Sequence, residues 1–290
     1  MTRAATIEER PFSGPLAERL AASPGPGVAL YWLGQAGFVI DAGGRRIVID
    51  PYLSDTLADK YRGSATPHDR MAPPPVDVGG LGRIDLVLST HHHTDHMDPG
   101  TLTPLATADP GLRFVVPEAS RTEALRRTGA AGDRLIGMDA GERIEPWPGL
   151  SVVALRAAHE ALERDAGGRH RFLGYALGAG AITVIHSGDT IPFAGQAEEY
   201  GRLRPDLLLL PVNGRSAELA AYGVPGNLTL DEAVALTAAS GAPAMIAHHH
   251  GLFAFNTLPF ADIERKAREP GLPIRLIPAR PGVEVRIDRP

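Results

Sequence analysis

A run of histidines that directly follows a short apolar segment constrains this chain more than any other feature. Residues 89–96 read Ser-Thr-His-His-His-Thr-Asp-His, and the preceding run 84–89 is apolar on both faces apart from Asp85. Such a run is typical of a buried central β-strand, because both of its faces are covered by other elements. The sequence therefore predicts that the histidines begin where a buried strand ends.

The order of the side chains in this segment predicts a metal site. In extended backbone, side chains two residues apart point to the same side, so His91 and His93 can bind one ion together. Asp95 and His96 precede residues 97–99, which look like the entry to a helix, and can reach a second ion. The alternative is a surface run or a purification tag, but a tag lies at a terminus and does not alternate with threonine and aspartate behind a strand.

The absence of cysteine limits the donor atoms of such a site. The 290 residues include 11 histidines and no cysteine, which excludes thiolate zinc sites and a cysteine nucleophile. Imidazole nitrogen and carboxylate oxygen remain, and these donors admit zinc, manganese, iron or nickel. We expect two divalent metal ions, with zinc as the first choice and manganese as the second.

The distribution of charge favours a small-molecule partner. The formal net charge is −5, and the arginines are scattered rather than gathered in a stripe, which disfavours nucleic acid. Residues 1–27 contain no apolar core of signal-peptide length, and no uncharged run is long enough to cross a membrane. We expect a cytoplasmic protein that acts on a small molecule and contacts neither nucleic acid nor a membrane. Whether it forms a homo-oligomer stays open.

The apolar pattern predicts an N-terminal arm at 1–27, with at most one short helix at 16–22, and one large domain at 28–290. Strands are predicted at 28–33, 38–41, 46–50, 84–89, 113–116, 150–155, 172–177, 181–186, 206–210, 243–248, 274–277 and 283–287. Helices are predicted at 99–106, 119–127, 230–240 and 259–268, the third with a capping box of Thr229 and Glu232. This alternation predicts an α/β fold, in which two sheets face each other and helices lie outside.

Three further candidate ligands follow predicted strands. His159 comes shortly after one strand, Asp189 follows another in His-Ser-Gly-Asp-Thr, and the histidine triplet 248–250 ends a third. Ligands in open α/β sheets gather at such ends, because loops converge there on rigid strands. Taken alone, His159 is more often a core or surface histidine, and an aspartate such as Asp189 commonly caps a turn.

Other polar residues receive predicted roles from their position in the sequence. Asp50, in Ile-Asp-Pro at the end of a strand, is predicted to orient a ligand histidine. Asn213 and Arg215 follow a strand and could recognise an anion of the substrate, although an arginine in a loop is usually only solvated. His68 and His170 fall in polar loops and are predicted to be ordinary solvated residues.

Taken together, these motifs resemble the signature of the metallo-β-lactamase superfamily. The resemblance rests on His-x-His-x-Asp-His at 91–96 with His159, Asp189 and a final histidine, and it covers most of the chain beyond the arm. The segments Trp-Leu-Gly-Gln-Ala-Gly-Phe at 32–38 and His-His-Gly-Leu-Phe at 249–253 are similar to the UlaG-like branch, named for L-ascorbate-6-phosphate lactonase. That lactonase shows no clear histidine at the place of His159, and many relatives carry histidine where Gln35 stands, which indicates a specialised subgroup.

The resemblance implies a fold and a set of residue roles. The fold would be a four-layered αββα sandwich of metallo-β-lactamase type, with two mixed sheets and a metal pair at one edge. The implied ligands are His91, His93 and His159 for the first ion, Asp95, His96 and His249 for the second, and Asp189 as the bridge. Strand parity alone does not choose between His249 and its neighbours, so His248 and His250 stay open.

The implied activity is that of a metal-dependent hydrolase. Two ions about 3.5–4 Å apart would share an activated water and attack a small ester, lactone or related substrate. Asp95 would be the catalytic residue that orients the nucleophile or receives its proton. The alternatives are a phosphodiesterase acting on a small phosphodiester and a non-hydrolytic di-iron redox protein on the same fold. A non-catalytic protein is disfavoured, because a structural site ordinarily closes with four ligands.

Overall fold

Two β-sheets packed face to face form the centre of the molecule. A computed structural model describes residues 5–289. The first sheet has eight strands in the order β1-β15-β2-β3-β4-β5-β6-β7, which are β1 (Thr6–Pro11), β2 (Val28–Gly34), β3 (Gly37–Ala42), β4 (Arg45–Ile49), β5 (Leu86–Leu88), β6 (Arg113–Pro117), β7 (Leu135–Met138) and β15 (Val283–Asp288). The second has seven strands in the order β14-β13-β12-β11-β10-β9-β8, which are β8 (Arg143–Trp147), β9 (Leu150–Arg156), β10 (Leu173–Ala179), β11 (Ile182–His186), β12 (Leu207–Pro211), β13 (Ala244–His248) and β14 (Arg275–Pro278).

Short helices lie between the strands along the chain. Within the described range they are α1 (Leu16–Leu20), α2 (Thr56–Lys60), α3 (Pro99–Ala108), α4 (Arg121–Thr128), α5 (Gln196–Gly201), α6 (Ala217–Ala221), α7 (Leu230–Ala239) and α8 (Phe260–Ala267). Three 3-10 turns cover Val78–Leu81, Glu118–Ser120 and Gly132–Arg134. Each helix within residues 5–289 is too short or too polar to span a membrane.

Three apolar clusters divide the molecule into four layers. The cluster between the sheets takes side chains from both, among them Ile40 of β3 and Ile246 of β13. One outer cluster packs the first sheet against α1, α3 and α4, and the other packs the second sheet against α5, α7 and α8. Side chains alternate along each strand, so Ile40 faces the inner cluster and Val39 an outer one. The predicted αββα fold class is confirmed.

Parallel strands bring separate chain segments to one edge of this sandwich. In the first sheet, β4, β5, β6 and β7 run parallel, and in the second, β11, β12, β13 and β14 do. The remaining neighbours within each sheet are antiparallel, so both sheets are mixed. The loops after β5, β11 and β13 meet at this edge. Oδ2 of Asp189 lies 3.3 Å from Nε2 of His96 and 3.1 Å from Nε2 of His249.

The N-terminal region is more structured than the sequence predicts. β1 pairs antiparallel with β15, from Thr6 opposite Asp288 to Pro11 opposite Val283. Its sequence, Thr-Ile-Glu-Glu-Arg-Pro, has no apolar run. The strand is held by main-chain hydrogen bonds to an open sheet edge, by Ile7 against the inner cluster and by the ion pair of Glu9 with Arg275. The sequence also fails to predict the short elements β7, β8, α2, α5 and α6.

Candidate metal centre

The first four candidate ligands lie on the loop between β5 and α3. The main-chain N–H groups of His96 and Met97 both donate to the carbonyl of His93, at 3.1 and 2.8 Å, which closes the loop into a turn. Asp98 then caps α3 by accepting from the first turn of that helix. The turn stacks the imidazoles closely, so that the ring centres of His91 and His96 are 4.0 Å apart.

Asp50 supports this loop from behind. It follows β4 at a positive φ of 46° and is fully buried. Its Oδ1 accepts from Thr90 N at 2.8 Å, and its Oδ2 accepts from Thr90 Oγ1 at 2.6 Å. Oδ2 also lies 2.7 Å from Nδ1 of His96, so Nε2 is the nitrogen of that ring that faces the centre. The structure thus places Asp50 against a candidate ligand histidine.

Loops of the second sheet supply the other candidates. His159, Asp189 and His249 follow β9, β11 and β13. Oδ2 of Asp189 lies 3.1 Å from His249 Nε2 and 3.8 Å from His159 Nε2. The same oxygen lies 3.3 Å from Nε2 of His96 on the first sheet. Asp189 is therefore the side chain that joins the two halves of the cluster.

The seven side chains that the sequence predicts as ligands come together in space. They form overlapping groups in which the candidate ligand atoms lie within 4.8 Å of one another. The groups are His91, His93 and His159; His91, His96 and Asp189; and Asp95, His96 and His249. Within the described residues, this cluster contains every group of three or more such donors.

The two open alternatives to His249 do not join these groups. His248 stacks on His186 with ring centres 4.9 Å apart, and His250 lies against Trp32 at 5.0 Å. Both are buried. His249 has a positive φ of 61°, which turns it out of the strand direction, and its side chain therefore reaches the cluster while its neighbours do not.

Several atoms of the cluster are buried without a protein partner. Within residues 5–289, His91 Nε2, His96 Nε2 and Asp189 Oδ1 have no hydrogen-bond partner. An unpaired buried polar group costs roughly 1–3 kcal/mol, and more when it is charged. Because all the donors are imidazole nitrogens and carboxylate oxygens that lie within 4.8 Å of one another in each group, these residues fit divalent metal ions.

Burial and mutual charge set the protonation of the cluster when no metal is bound. Burial opposes ionisation of Asp95, but the imidazoles of His96 and His249 outweigh it and hold the pKa of Asp95 below its ordinary value. Burial also opposes ionisation of Asp189, but His249 and His96 outweigh it and hold the pKa of Asp189 well below its usual range. Burial, together with nearby His159, lowers the pKa of His93 to about 3. At neutral pH the carboxylates are charged and His93 is neutral, as metal binding requires. Burial lowers the pKa of His96, but three nearby carboxylates outweigh it and raise this pKa well above its ordinary value, so His96 must release a proton to bind a metal.

Gln35 is a component of the site that the sequence does not predict. It is buried at a positive φ of 48°. Its Nε2 donates to Asp95 Oδ2 at 2.9 Å and lies 3.1 Å from His249 Nε2. Its carbonyl accepts from the main-chain N–H of His249 at 2.9 Å. Gln35 therefore positions one candidate ligand from each half, and its only sequence signal is its place in the motif at 32–38.

Contacts to the main chain orient the other loops of the second half. Nδ1 of His159 lies 3.2 Å from the carbonyl of Gly226, which leaves Nε2 to face the cluster. His186 accepts from Gly188 N at Nδ1, at 3.0 Å, and donates from Nε2 to the carbonyl of Ala36 at 2.8 Å. His186 thereby connects the turn before Asp189 to the turn that carries Gln35.

A cleft of about 330 Å³ opens onto the cluster. One part of its wall is aromatic, with Tyr61 stacked on His68 at 4.3 Å and Phe255 at 4.8 Å from His68. The prediction that His68 is an ordinary solvated residue is wrong. Its Nδ1 donates to the carbonyl of Thr66 at 2.7 Å, and burial lowers its pKa. Arg127 also lines the cleft.

Three other expectations from the sequence also differ from the structure. His170 is buried and contacts Asp139 at 2.8 Å, so it is not a solvated residue. Arg215 forms two hydrogen bonds of 2.7 Å with Glu232, and Asn213 bonds other asparagines. Neither Asn213 nor Arg215 lines the cleft, so the structure does not bring the two predicted substrate contacts to it. The sequence shows that a polar side chain in a loop needs a hydrogen-bond partner, but it does not show which residue that partner is.

Comparison with known proteins identifies the family. The profile described as beta-lactamase superfamily domain matches residues 45–250. The chain belongs to the metallo-β-lactamase superfamily. Its relatives in this superfamily include a UPF0173 metal-dependent hydrolase of Aeropyrum pernix, 27% identical over 269 residues that cover 89% of this chain and 97% of the relative. Another, from Caldivirga maquilingensis, is 29% identical over 203 residues, which are 67% of this chain and 75% of the relative.

Solved structures share the fold of the superfamily. Igni18, described as a novel metallo hydrolase from Ignicoccus hospitalis, aligns with a TM-score of 0.67 at 22% identity. The alignment covers 91% of this chain and 100% of Igni18. At this level of identity, the similarity supports the fold and says nothing of the substrate.

Proposed function

We propose that this chain is a metal-dependent hydrolase that acts on a small ester, lactone or related substrate. The observation that carries the proposal is the meeting of seven nitrogen and oxygen donors at the wall of a cleft. A structural metal site is closed by about four ligands. Here five of the donors line a cleft that a substrate can enter, namely His93, Asp95, His159, Asp189 and His249.

The proposed ligand sets follow the groups that the side chains form. His91, His93 and His159 would hold one ion, and Asp95, His96 and His249 would hold the other. Asp189 would be shared, because its Oδ2 lies within 3.8 Å of an imidazole nitrogen of each set. Zinc is the proposed metal and manganese the second choice, since both accept this donor set. When bound, such a pair lowers the pKa of a water molecule and polarises the bond that is attacked.

Asp95 is the proposed catalytic residue. Its side chain is 17% exposed and lines the cleft. The hydrogen bond of 2.9 Å from Gln35 to Oδ2 fixes the orientation of the carboxylate. Because its low pKa keeps it ionised at neutral pH, Asp95 is able to orient the nucleophile and take up its proton.

The finer assignment is to a cytoplasmic lactonase of the UlaG-like branch that acts on a small molecule. It is supported by the motifs at 32–38 and 249–253. Hydrolysis of a small phosphodiester is the second candidate. The observation that favours it is the presence of Lys60 in the cleft, because this cation attracts a monoanionic diester; Arg127 also lines the cleft but is paired with Glu123.

The proposal is tested on purified protein loaded with zinc or manganese. Bound metal is measured by elemental mass spectrometry, and the protein is then assayed against lactones, esters, thioesters and phosphodiesters. We expect two ions per chain, a colourless protein, and hydrolysis of a lactone or ester. Visible absorption in the protein as isolated would instead favour a di-iron redox protein.

Asp95→Asn tests the catalytic assignment. We expect it to lower the rate about 10²- to 10⁴-fold, the usual contribution of a general acid or base. Glu232→Gln is the matched control, because it makes the same carboxylate-to-amide change at a residue that does not line the cleft. If Asp95→Asn kept full activity on the best substrate, the proposed mechanism would be wrong.

A further inference from the structure

The chain contains only three asparagines, and the structure joins them in one hydrogen-bonded row. They are Asn213, Asn227 and Asn256 of the 290 residues. Nδ2 of Asn227 donates to Oδ1 of Asn213 at 3.0 Å, and Nδ2 of Asn213 donates to Oδ1 of Asn256 at 2.9 Å. Asn227 and Asn256 line the cleft, whereas Asn213 connects them without lining it.

A main-chain group sets the direction of this asparagine row. Thr190 N donates to Oδ1 of Asn227 at 2.9 Å, and a main-chain N–H acts only as a donor. The oxygen of Asn227 therefore faces Thr190, and its NH₂ group faces Asn213. The same reasoning continues to Asn256, because reversing any one amide would set two donors or two acceptors against each other.

The asparagine row ends in the NH₂ group of Asn256, a residue that lines the cleft. Oδ1 of Asn256 accepts from Asn213, and within the described residues Nδ2 of Asn256 donates to no other group. Apart from the two carboxylates assigned to the metals, the charged side chains that line the cleft are Lys60 and Arg127. A donor in a cleft with cations suits an oxygen acceptor and disfavours an ammonium group.

We propose that Asn256 determines specificity by donating a hydrogen bond to a substrate oxygen outside the bond that is hydrolysed. The inference rests on the proposed hydrolase function. It narrows the substrate to one that carries a carbonyl, carboxylate or phosphoryl oxygen at that place.

The asparagine row also has a direct structural connection to the metal centre. Thr190, where the row begins, follows Asp189 in sequence, and Gly226, which precedes Asn227, contacts His159 through its carbonyl. The loop of Gly226 and Asn227 therefore contacts the segments of two proposed ligands, His159 and Asp189. The same loop carries Asn227, from which the orientation of the Asn256 amide derives. The position of the substrate contact is in this way tied to that of the metals.

Substitutions at Asn213 test the orientation of Asn256 without changing a residue of the cleft wall. In Asn213→Asp, the carboxylate accepts from both neighbours, so the amide of Asn256 must reverse and present its oxygen to the substrate. In Asn213→Ala, the amide of Asn256 stays free to turn its NH₂ group to the substrate. We expect KM to rise about 10-fold in Asn213→Asp and in Asn256→Ala, but less than about 3-fold in Asn213→Ala, with kcat nearly unchanged.

If the asparagine row had only a structural role, KM would rise more in Asn213→Ala than in Asn213→Asp. Alanine at 213 removes two hydrogen bonds and leaves a void, whereas aspartate preserves the shape of the side chain. A larger rise in KM for Asn213→Ala than for Asn213→Asp would therefore overturn the proposal. Substrate pairs that differ only in one carboxylate sharpen the test, because wild-type preference for the carboxylate form should be lost in Asn213→Asp.

A measurement on the zinc-loaded protein tests the asparagine row without any substrate. Labelling the asparagine side chains with ¹⁵N gives three NH₂ signal pairs, one for each residue. The pair of Asn256 should exchange fastest with water, because each of the other two pairs includes a bonded proton. In Asn213→Asp, the Asn256 pair should become protected. Protection of that pair in the wild type, or no change in the variant, would overturn the orientation.

The proposed function and the role of Asn256 fail in different ways. If the wild type hydrolyses no compound of the panel, the hydrolase proposal fails, and the exchange measurement still decides whether Asn256 presents a donor. If the wild type is active and KM is unchanged in Asn213→Asp and Asn256→Ala, only the role of Asn256 fails. Bound metal, expected to be unchanged in every variant, separates a lost substrate contact from a damaged metal centre.

Discussion

The two halves of the metal centre are built in different ways. On the first sheet, four donors lie within residues 91–96, and one buried carboxylate, Asp50, holds the loop by contacts to Thr90 and His96. On the second sheet, three donors come from three separate loops, after β9, β11 and β13. The first half is a local unit, and the second is assembled from distant parts of the chain.

This difference shows where each half obtains its geometry. The turn at 91–96 is closed by its own main-chain hydrogen bonds. In the second half, the carbonyl of Gly226 orients His159, and the carbonyl of Gln35 accepts from His249. The contact of Gln35 exists only once the two sheets have packed, and that of Gly226 joins residues 67 apart in the chain, so the second half depends on distant parts of the fold.

Among the variants that test this difference, the largest effect is expected for Asp189→Asn, which removes the carboxylate that joins the halves. Asp189 Oδ2 lies within 3.8 Å of imidazoles from both sheets, so both ions should bind more weakly. We expect kcat/KM to fall more than about 100-fold. Substituting a residue that only orients a metal ligand already lowers metal affinity or activity about 10- to 100-fold. Elemental analysis should find fewer than two ions per chain. Retention of both ions and of the rate would show that the halves hold metal independently.

A smaller effect is expected for Asp50→Asn, which weakens the local half alone. An amide at 50 no longer offers a second carboxylate oxygen to Nδ1 of His96, so metal affinity should fall about 10- to 100-fold in chelator competition. Asp139→Asn is the matched control, because Asp139 makes the same kind of contact with His170 at 2.8 Å outside the cleft. Equal losses in the two variants would contradict the role of Asp50.

The smallest effect is expected for Glu232→Gln, at the surface of the second half and away from the cleft. The hydrogen bond from Arg215 lowers the pKa of Glu232 to about 2, although partial burial opposes this. A depressed carboxyl pKa stabilises the fold fully above the unfolded pKa of about 4.5, and the contribution is lost as pH falls from there through about 2.

Urea unfolding checks this expectation. The free energy of unfolding of Glu232→Gln should be about 1 kcal/mol lower than that of the wild type at pH 7, since the pair is partly exposed. The difference should shrink as the pH is lowered from 4.5 toward 2. Metal content and KM should be unchanged. A rise in KM would mean that Arg215 or Glu232 contributes to the substrate cleft after all.

Features that neighbouring residues build together could be predicted from the sequence. The apolar run before the histidines predicts β5, and the capping box of Thr229 and Glu232 is present at the start of α7. The donors at 91–96 were recognisable because they are consecutive and follow a strand. The alternation of predicted strands and helices likewise predicts two sheets with helices outside, since burial of one face leaves a periodic pattern in each element.

The tertiary structure alone decided which distant polar groups meet. Arg215 pairs with Glu232 instead of reaching the cleft, and His68 becomes part of the aromatic wall. Asn213 and Asn256 are 43 residues apart, yet one sets the orientation of the other. Hydrogen bonds between loops depend on which strand ends the two sheets bring together. They leave no periodicity along the chain, so local sequence patterns do not contain them.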